Sequence, residues 1–273
     1  MSISRRCIML KSWFEEQPEH QYWLVDHKLH KLAVAQNGGF GFDGAIPVFY
    51  GAMFDSVMSL SPWLIPVSAS ILQLPNKMVN QGLGLSSRVS ENGVIAHLRS
   101  LLIAALDGEE VLFRFYDCEV ILPMLGAMDE AEINQFLGNI NQLVVIDHHE
   151  EDALITFSNT SCSEFVLRHG TWWKMSPHHL APLYNVNVHS NSLERRWWEL
   201  LPHLLQRLES PQQTILSALQ SALEKQNSYE VAEQHALVAL VTATDTALDD
   251  LSHPLHLTSD ELKELKAIKE SWQ

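Results

Sequence analysis

The chain has 273 residues, 46% hydrophobic and 19% charged, enough apolar content for one large domain or two lobes with a proper core. Its 18 Lys and Arg stand against 33 Asp and Glu, a formal net charge of −15. That balance removes any electrostatic reason to bind nucleic acid or an anionic membrane.

The three cysteines, Cys7, Cys118 and Cys162, are odd in number and share no metal-ligand spacing. They read as free thiols in a reducing compartment. Lys11, Glu15 and Glu16 interrupt the start of the chain, so no signal peptide is expected, and no apolar stretch approaches a membrane span. The expectation is a soluble cytoplasmic protein.

In chain order, Tyr22-Trp23-Leu24-Val25-Asp26 is a short apolar run with the pattern of a buried strand. The glycines at 38, 39 and 41 mark a break, and a helix is expected over 44–59, interrupted early by Pro47. Residues 61–67 should be extended, because Pro62 and Pro66 forbid a helix interior. Gln81-Gly82-Leu83-Gly84-Leu85 lacks the third glycine of a dinucleotide loop and reads as a turn. Ser90 can cap a helix whose stripe is Val94, Ile95, Leu98, Leu101, Leu102 and Ala105.

A turn at Asp107-Gly108 leads to an expected strand over 111–116, followed by a short helix over 119–125. Asp129 and Glu132 make a capping-box pattern. Residues 143–146 and 153–157 read as two strands joined by a charged turn. Beyond residue 165 the periodicity is helical throughout: 193–208 with a kink at Pro202, then 212–224, 231–248 and 259–270, the last with a capping box at Thr258 and Glu261. The predicted fold is a mixed α/β N-terminal lobe, residues 1–160, followed by an all-α helical C-terminal lobe, residues 165–273.

Candidate chemistry is sparse. Val144-Val145-Ile146-Asp147-His148-His149 resembles a motif of the DHH phosphoesterases, which hold divalent metal through carboxylates and imidazoles at strand ends. That family needs further Asp motifs upstream. Asp26, Asp43 and Asp55 stand in no Asp-x-Asp context, while Glu150, Glu151 and Asp152 continue the run as a solvated turn would. A metal-dependent phosphoesterase is therefore the alternative reading. The pairs His27/His30, His253/His256 and His178-His179 can arise by chance among 14 histidines, and Asp245, Asp249 and Asp250 read as solvated acids. No catalytic residue, cofactor or metal is expected.

An Arg inside an aromatic strand is costly unless a carboxylate or carbonyl meets it. His97, Arg99, Arg114, Tyr116 and Asp117 are expected to share one polar network, with Arg114 and Asp117 as a bidentate pair, that either touches the partner or, the favoured reading, braces the fold. Adjacent indoles on a helix point about a hundred degrees apart. Trp172, Trp173, Trp197 and Trp198 either offer exposed anchors to a partner or fill the joint between the lobes.

Tyr22–Asp26, Pro62-Trp63-Leu64, Gly82-Leu83-Gly84, His97-Leu98-Arg99-Ser100-Leu101-Leu102, Leu112-Phe113-Arg114-Phe115-Tyr116-Asp117, Leu122-Pro123-Met124-Leu125 and Phe136-Leu137-Gly138 follow one another in an order that resembles domain-of-unknown-function family 4123, the type VI secretion effector adaptors or effector chaperones. The resemblance spans roughly residues 20–140. It implies a non-enzymatic protein that binds a toxic effector in the bacterial cytoplasm and delivers it to the VgrG spike. It also implies that the helical lobe, the more variable part, reads the particular effector. A monomer is expected in the free state. One departure stands out: the family usually continues Tyr-Asp with Pro-Arg, and this chain has Cys118-Glu119.

Overall fold

The computed structural model describes residues 9–148, 152–225 and 227–272. The chain divides into two compact units, Met1–Leu183 and Tyr184–Gln273.

The first unit is built on a six-stranded antiparallel sheet. Its strands are β1 (His20–Val25), β2 (Ile46–Pro47), β3 (Trp63–Pro66), β4 (Leu83–Ser87), β7 (Gln142–Asp147) and β8 (Ala153–Ser158), in the order β2-β3-β1-β4-β7-β8. A separate hairpin is formed by β5 (Ile103–Leu106) and β6 (Glu109–Leu112). The helices of this unit are α1 (Leu10–Glu16), α2 (His27–Gln36), α3 (Ala69–Gln73), α4 (Asn76–Val79), α5 (Glu91–Leu101), α6 (Cys118–Ala127), α7 (Glu130–Leu137) and α8 (Pro177–Leu180).

Successive side chains on a strand point to opposite faces, and here both faces are covered. Tyr22, Leu24, Leu64, Leu83, Leu85, Leu143 and Val145 enter a core shared with α5, α6 and α7. Trp23, Val25, Ile65, Val144 and Ile146 enter a second core with Leu10, Trp13 and Phe14 of α1 and Leu29 of α2. An antiparallel sheet more often leaves one face wet. Double coverage is why these strands read as unbroken apolar runs. It also explains Gly84, where a Cβ would lie 2.7 Å from Leu10 and 2.8 Å from Trp13, so only glycine lets α1 pack that closely. The turn expected over 81–85 is confined to Gln81 and Gly82, and Leu83, Gly84 and Leu85 already belong to β4.

Three local expectations are corrected. The strand through Arg114 ends at Leu112. Phe113 and Phe115 continue into the core while Arg114 stays outside, an alternation that mimics a strand although residues 115 and 116 already turn toward α6. The helix over 44–59 is replaced by β2 and a 3₁₀ run, Ala52–Leu60. Residues 165–183 belong with the sheet unit, because Trp173 and Leu183 pack against its core.

The second unit holds α9 (Val186–Leu200), α10 (Pro202–Leu205), α11 (Pro211–Glu224), α12 (Tyr229–Ala243) and α13 (Ser259–Glu270). Pro202 breaks the expected long helix and opens α10 at a position that needs no N–H donor. Along α12, Ala232, Ala236, Leu237, Val238, Ala239, Leu240 and Val241 are all buried, which makes it the central helix of this core. It ends at Ala243, short of the expected Leu248, and Asp245 then takes a left-handed conformation (φ 47°). The capping boxes at Asp129/Glu132 and Thr258/Glu261 are both formed.

Candidate functional site

The five polar residues of the sequence signature do not form one network. His97 lies on α5, fully buried, with Nε2 2.8 Å from the carbonyl of Phe136 at the end of α7. Burial pushes its pKa down to about 4, against the opposing pull of the Phe136 and Leu137 carbonyls. The ring is therefore neutral at pH 7 and donates from Nε2, while Nδ1 meets no partner among the described residues. The edge of Phe165 stands 5.0 Å from it, centroid to centroid. This histidine couples two elements and makes no contact with Arg114 or Asp117.

Arg99, on the same helix, points elsewhere. It donates to the carbonyls of Pro47 (2.9 Å) and Val48 (3.1 Å) and lies 4.6 Å over the Tyr50 ring. It holds the short edge strand β2 in place from outside the sheet.

Arg114 and Asp117 do pair, but at the surface: the arginine side chain is 60% exposed. Asp117 is the N-cap of α6, taking the Glu119 N–H at 3.1 Å on its other oxygen. Tyr116 is half-buried, its ring edge-on to Phe49 and Phe115, and burial raises its pKa.

The departure at 118–119 has a local account. Cys118 is the first residue of α6, where proline is favoured. Its thiol instead turns inward and donates to Gln81 at 3.4 Å. Burial, then the neighbouring acids Asp117, Glu119 and Asp26, pushes that thiol up to about 12, so it is not a reactive thiolate. Glu119 stands in the first turn, where the helix dipole favours an acid.

The tryptophans separate sharply. Trp172 and Trp173 are not helical and lie in the sheet unit. Their segment runs beside β5, with Ala105 N–H donating to Trp173 O at 2.8 Å and Met175 N–H to Ala105 O at 2.9 Å. Trp173 is buried, and Trp172 is half-buried with its indole N–H on Ser100. In the helical unit, Trp197 is 3% exposed and Trp198 is 40% exposed. Of the four, only Trp198 presents an open indole.

The Asp147-His148-His149 motif falls partly outside the described residues, at His149. His148 is turned onto Asp152 at 2.6 Å across the hairpin end. Upstream, Asp26 is occupied in capping α2, accepting the Leu29 N–H at 2.7 Å.

A trio absent from the sequence expectations lies elsewhere. Glu132, His178 and His179 bring ligand-type atoms within 4.8 Å of one another. Glu132 takes His178 Nε2 at 3.0 Å, His179 Nε2 at 3.1 Å and the Asp129 N–H at 3.0 Å. Desolvation pulls its pKa up, but the bonds from His178, Asp129 and His179 outweigh that and hold it at about 2. The tautomer argues against a metal. His179 Nδ1 accepts the Ser176 N–H, so Nε2 carries the proton and donates to Glu132. A metal on Nε2 would break the α8 cap. The trio is a latch between α7 and α8. Its sequence signal, Ser176-Pro177 ahead of two histidines, is a helix start.

The comparison with family models gives one match: residues 21–135 match the domain of unknown function DUF4123, which is associated with type VI secretion effector adaptors. That match lies within the sheet unit. Neither a curated protein nor a solved structure matches the chain. The DUF4123 match runs from β1 to α7 and takes in His97, Arg99, Arg114, Tyr116 and Asp117. It stops short of β7 and β8, which complete the six-stranded sheet, and of Gly138, against which His97 packs. No helix among the described residues is long and apolar enough to cross a membrane.

Proposed function

We propose that this protein is an adaptor that binds a toxic effector in the cytoplasm and loads it onto the VgrG spike of a type VI secretion system. The observation that carries this reading is the DUF4123 match over residues 21–135. The role is one of binding, not catalysis. His97, Arg99 and Asp117 are spent on carbonyls and a helix cap, which fits a rigid scaffold better than a reacting centre. In this reading the helical unit recognises the effector, with Trp198 on α9 as an aromatic anchor.

Deleting the protein should stop secretion of one effector while the tube protein and other cargo are still released. Secretion of every effector at the normal level would refute the adaptor reading. A pull-down with the intact chain should recover one toxin and the spike. Manganese-loaded protein should leave phosphodiesters and pyrophosphate intact; hydrolysis that disappears in His148→Ala would establish the phosphoesterase alternative instead.

A further inference from the structure

Strand β8 is the outer strand of the sheet: it pairs with β7 on one side, and no strand among the described residues pairs with it on the other. The ladder identifies which of its groups face outward. Asn159 N–H donates to Asn141 O, so the 141/159 pair is a bonded one. Bonded pairs alternate in an antiparallel ladder. The pairs 143/157, 145/155 and 147/153 therefore face each other, and the N–H and C=O groups of Leu154, Thr156 and Ser158 point away from β7.

Natural edge strands are blunted with lysine, proline, a bulge or a cover. The sequence Ala-Leu-Ile-Thr-Phe-Ser of β8 contains no charge and no proline, and its register with β7 runs without a bulge over all six residues. Thr156 and Ser158 are exposed. Both faces of the strand are meanwhile anchored, Ile155 and Phe157 against one core and Leu154 against the other. A bulge-free edge of six residues without charge or proline is a template for strand addition.

Charge selects the occupant. Asp152, 62% exposed, stands at the Ala153 end, and Glu130, bonded to Thr160, stands beyond the Ser158 end. A second copy of the chain would bring another −15 to the encounter. We infer that the outer edge of β8 is a docking site for an extended segment of a protein partner that carries Lys or Arg near its ends. This inference does not depend on the adaptor reading.

The test uses the full chain and fluorescent peptides of about eight residues, a typical strand length with flanks. One peptide has an alternating Val/Thr centre flanked by Lys. A second has the same centre flanked by Glu. A third is the Lys peptide N-methylated at alternate amides. By anisotropy the Lys peptide should bind, with the other two weaker by about tenfold or more, as lost pairing and charge reversal each predict. Thr156→Pro removes an outward N–H without touching a β7 bond, an edge position where proline is tolerated; it should weaken the Lys peptide by a similar factor. Amide exchange at Leu154, Thr156 and Ser158 should slow when the Lys peptide is bound.

Failure of the Lys peptide to bind overturns the inference. So does binding that ignores N-methylation, a readout that holds even if Thr156→Pro fails to fold. Self-association of the chain that Thr156→Pro abolishes would assign the edge to a second copy and overturn the basic-partner assignment. The peptides are not cargo, so each of these failures leaves the adaptor reading where it stood.

Discussion

His97 and Gly138 are in van der Waals contact across α5 and the end of α7. Gly138 has φ 59°, and a Cβ built on it would lie 2.6 Å from His97 Cε1, 2.7 Å from Nε2 and 2.8 Å from Phe165. The same imidazole bonds the carbonyl of Phe136 two residues earlier. Two signature segments far apart in sequence, His97-Leu98-Arg99 and Phe136-Leu137-Gly138, are thus one joint.

Gly138→Ala should break that joint. A methyl group there meets a buried ring on one side and a phenyl on the other, and the backbone is in the left-handed region. Overpacking and the conformational penalty together predict a loss of about 2–4 kcal/mol. Urea unfolding of Gly138→Ala beside Gly126→Ala, where a Cβ meets nothing within 4 Å, separates the local clash from any general intolerance of alanine.

His97 makes stability depend on pH. Its folded pKa is depressed to about 4, below the ordinary value of roughly 6.5 that the unfolded chain shows. Above pH 6.5 the ring is neutral in both states and costs nothing. As pH falls from 6.5 toward 4 the unfolded state takes up a proton that the folded state refuses, and stability declines. The loss between pH 7 and pH 5 should be about 2 kcal/mol. Denaturant titrations at those two pH values measure it, and His97→Gln should flatten the difference. An unchanged slope in His97→Gln would assign the acid sensitivity to another group.

Arg114→Ala should be mild. The strand reading of 111–116 implied a buried ion pair whose loss would cost several kcal/mol, but this arginine is 60% exposed, and such pairs contribute about 1 kcal/mol or less. Asp117→Ala should cost more, on the order of 1 kcal/mol for the cap of α6 in addition to the pair. Melting curves of the two variants should therefore rank Asp117→Ala below Arg114→Ala. The opposite order would mean that the guanidinium, not the cap, holds this turn.

Trp197→Ala and Trp198→Ala should behave as opposites. Trp197 fills the helical core, and its loss should cost about 3–5 kcal/mol. Trp198→Ala should melt like the parent. If Trp198 anchors the effector, its truncation costs about 2 kcal/mol of binding, roughly thirtyfold in affinity, read by calorimetric titration with the captured effector. Full affinity in Trp198→Ala would move recognition off this face of α9.

The sequence alone determined the division into a sheet part and a helical part, both capping boxes, the strands β1, β3, β7 and β8, and the resemblance that the family match supports. These are short-range facts: periodicity, proline and glycine positions, and side-chain caps act within a few residues of where they are read. Only the tertiary structure decided where Arg114, Trp172 and Trp173 stand and what His97 touches. Alternation at 113–116 looks the same in a strand and in a turn that sends two phenylalanines inward. Adjacent tryptophans look the same on a helix and along a strand edge. Glu132 completes the capping box of α7, and nothing local to it announces two histidines from residues 178 and 179. The outward face of β8 was equally hidden, because whether a strand lies at an edge depends on where every other strand goes.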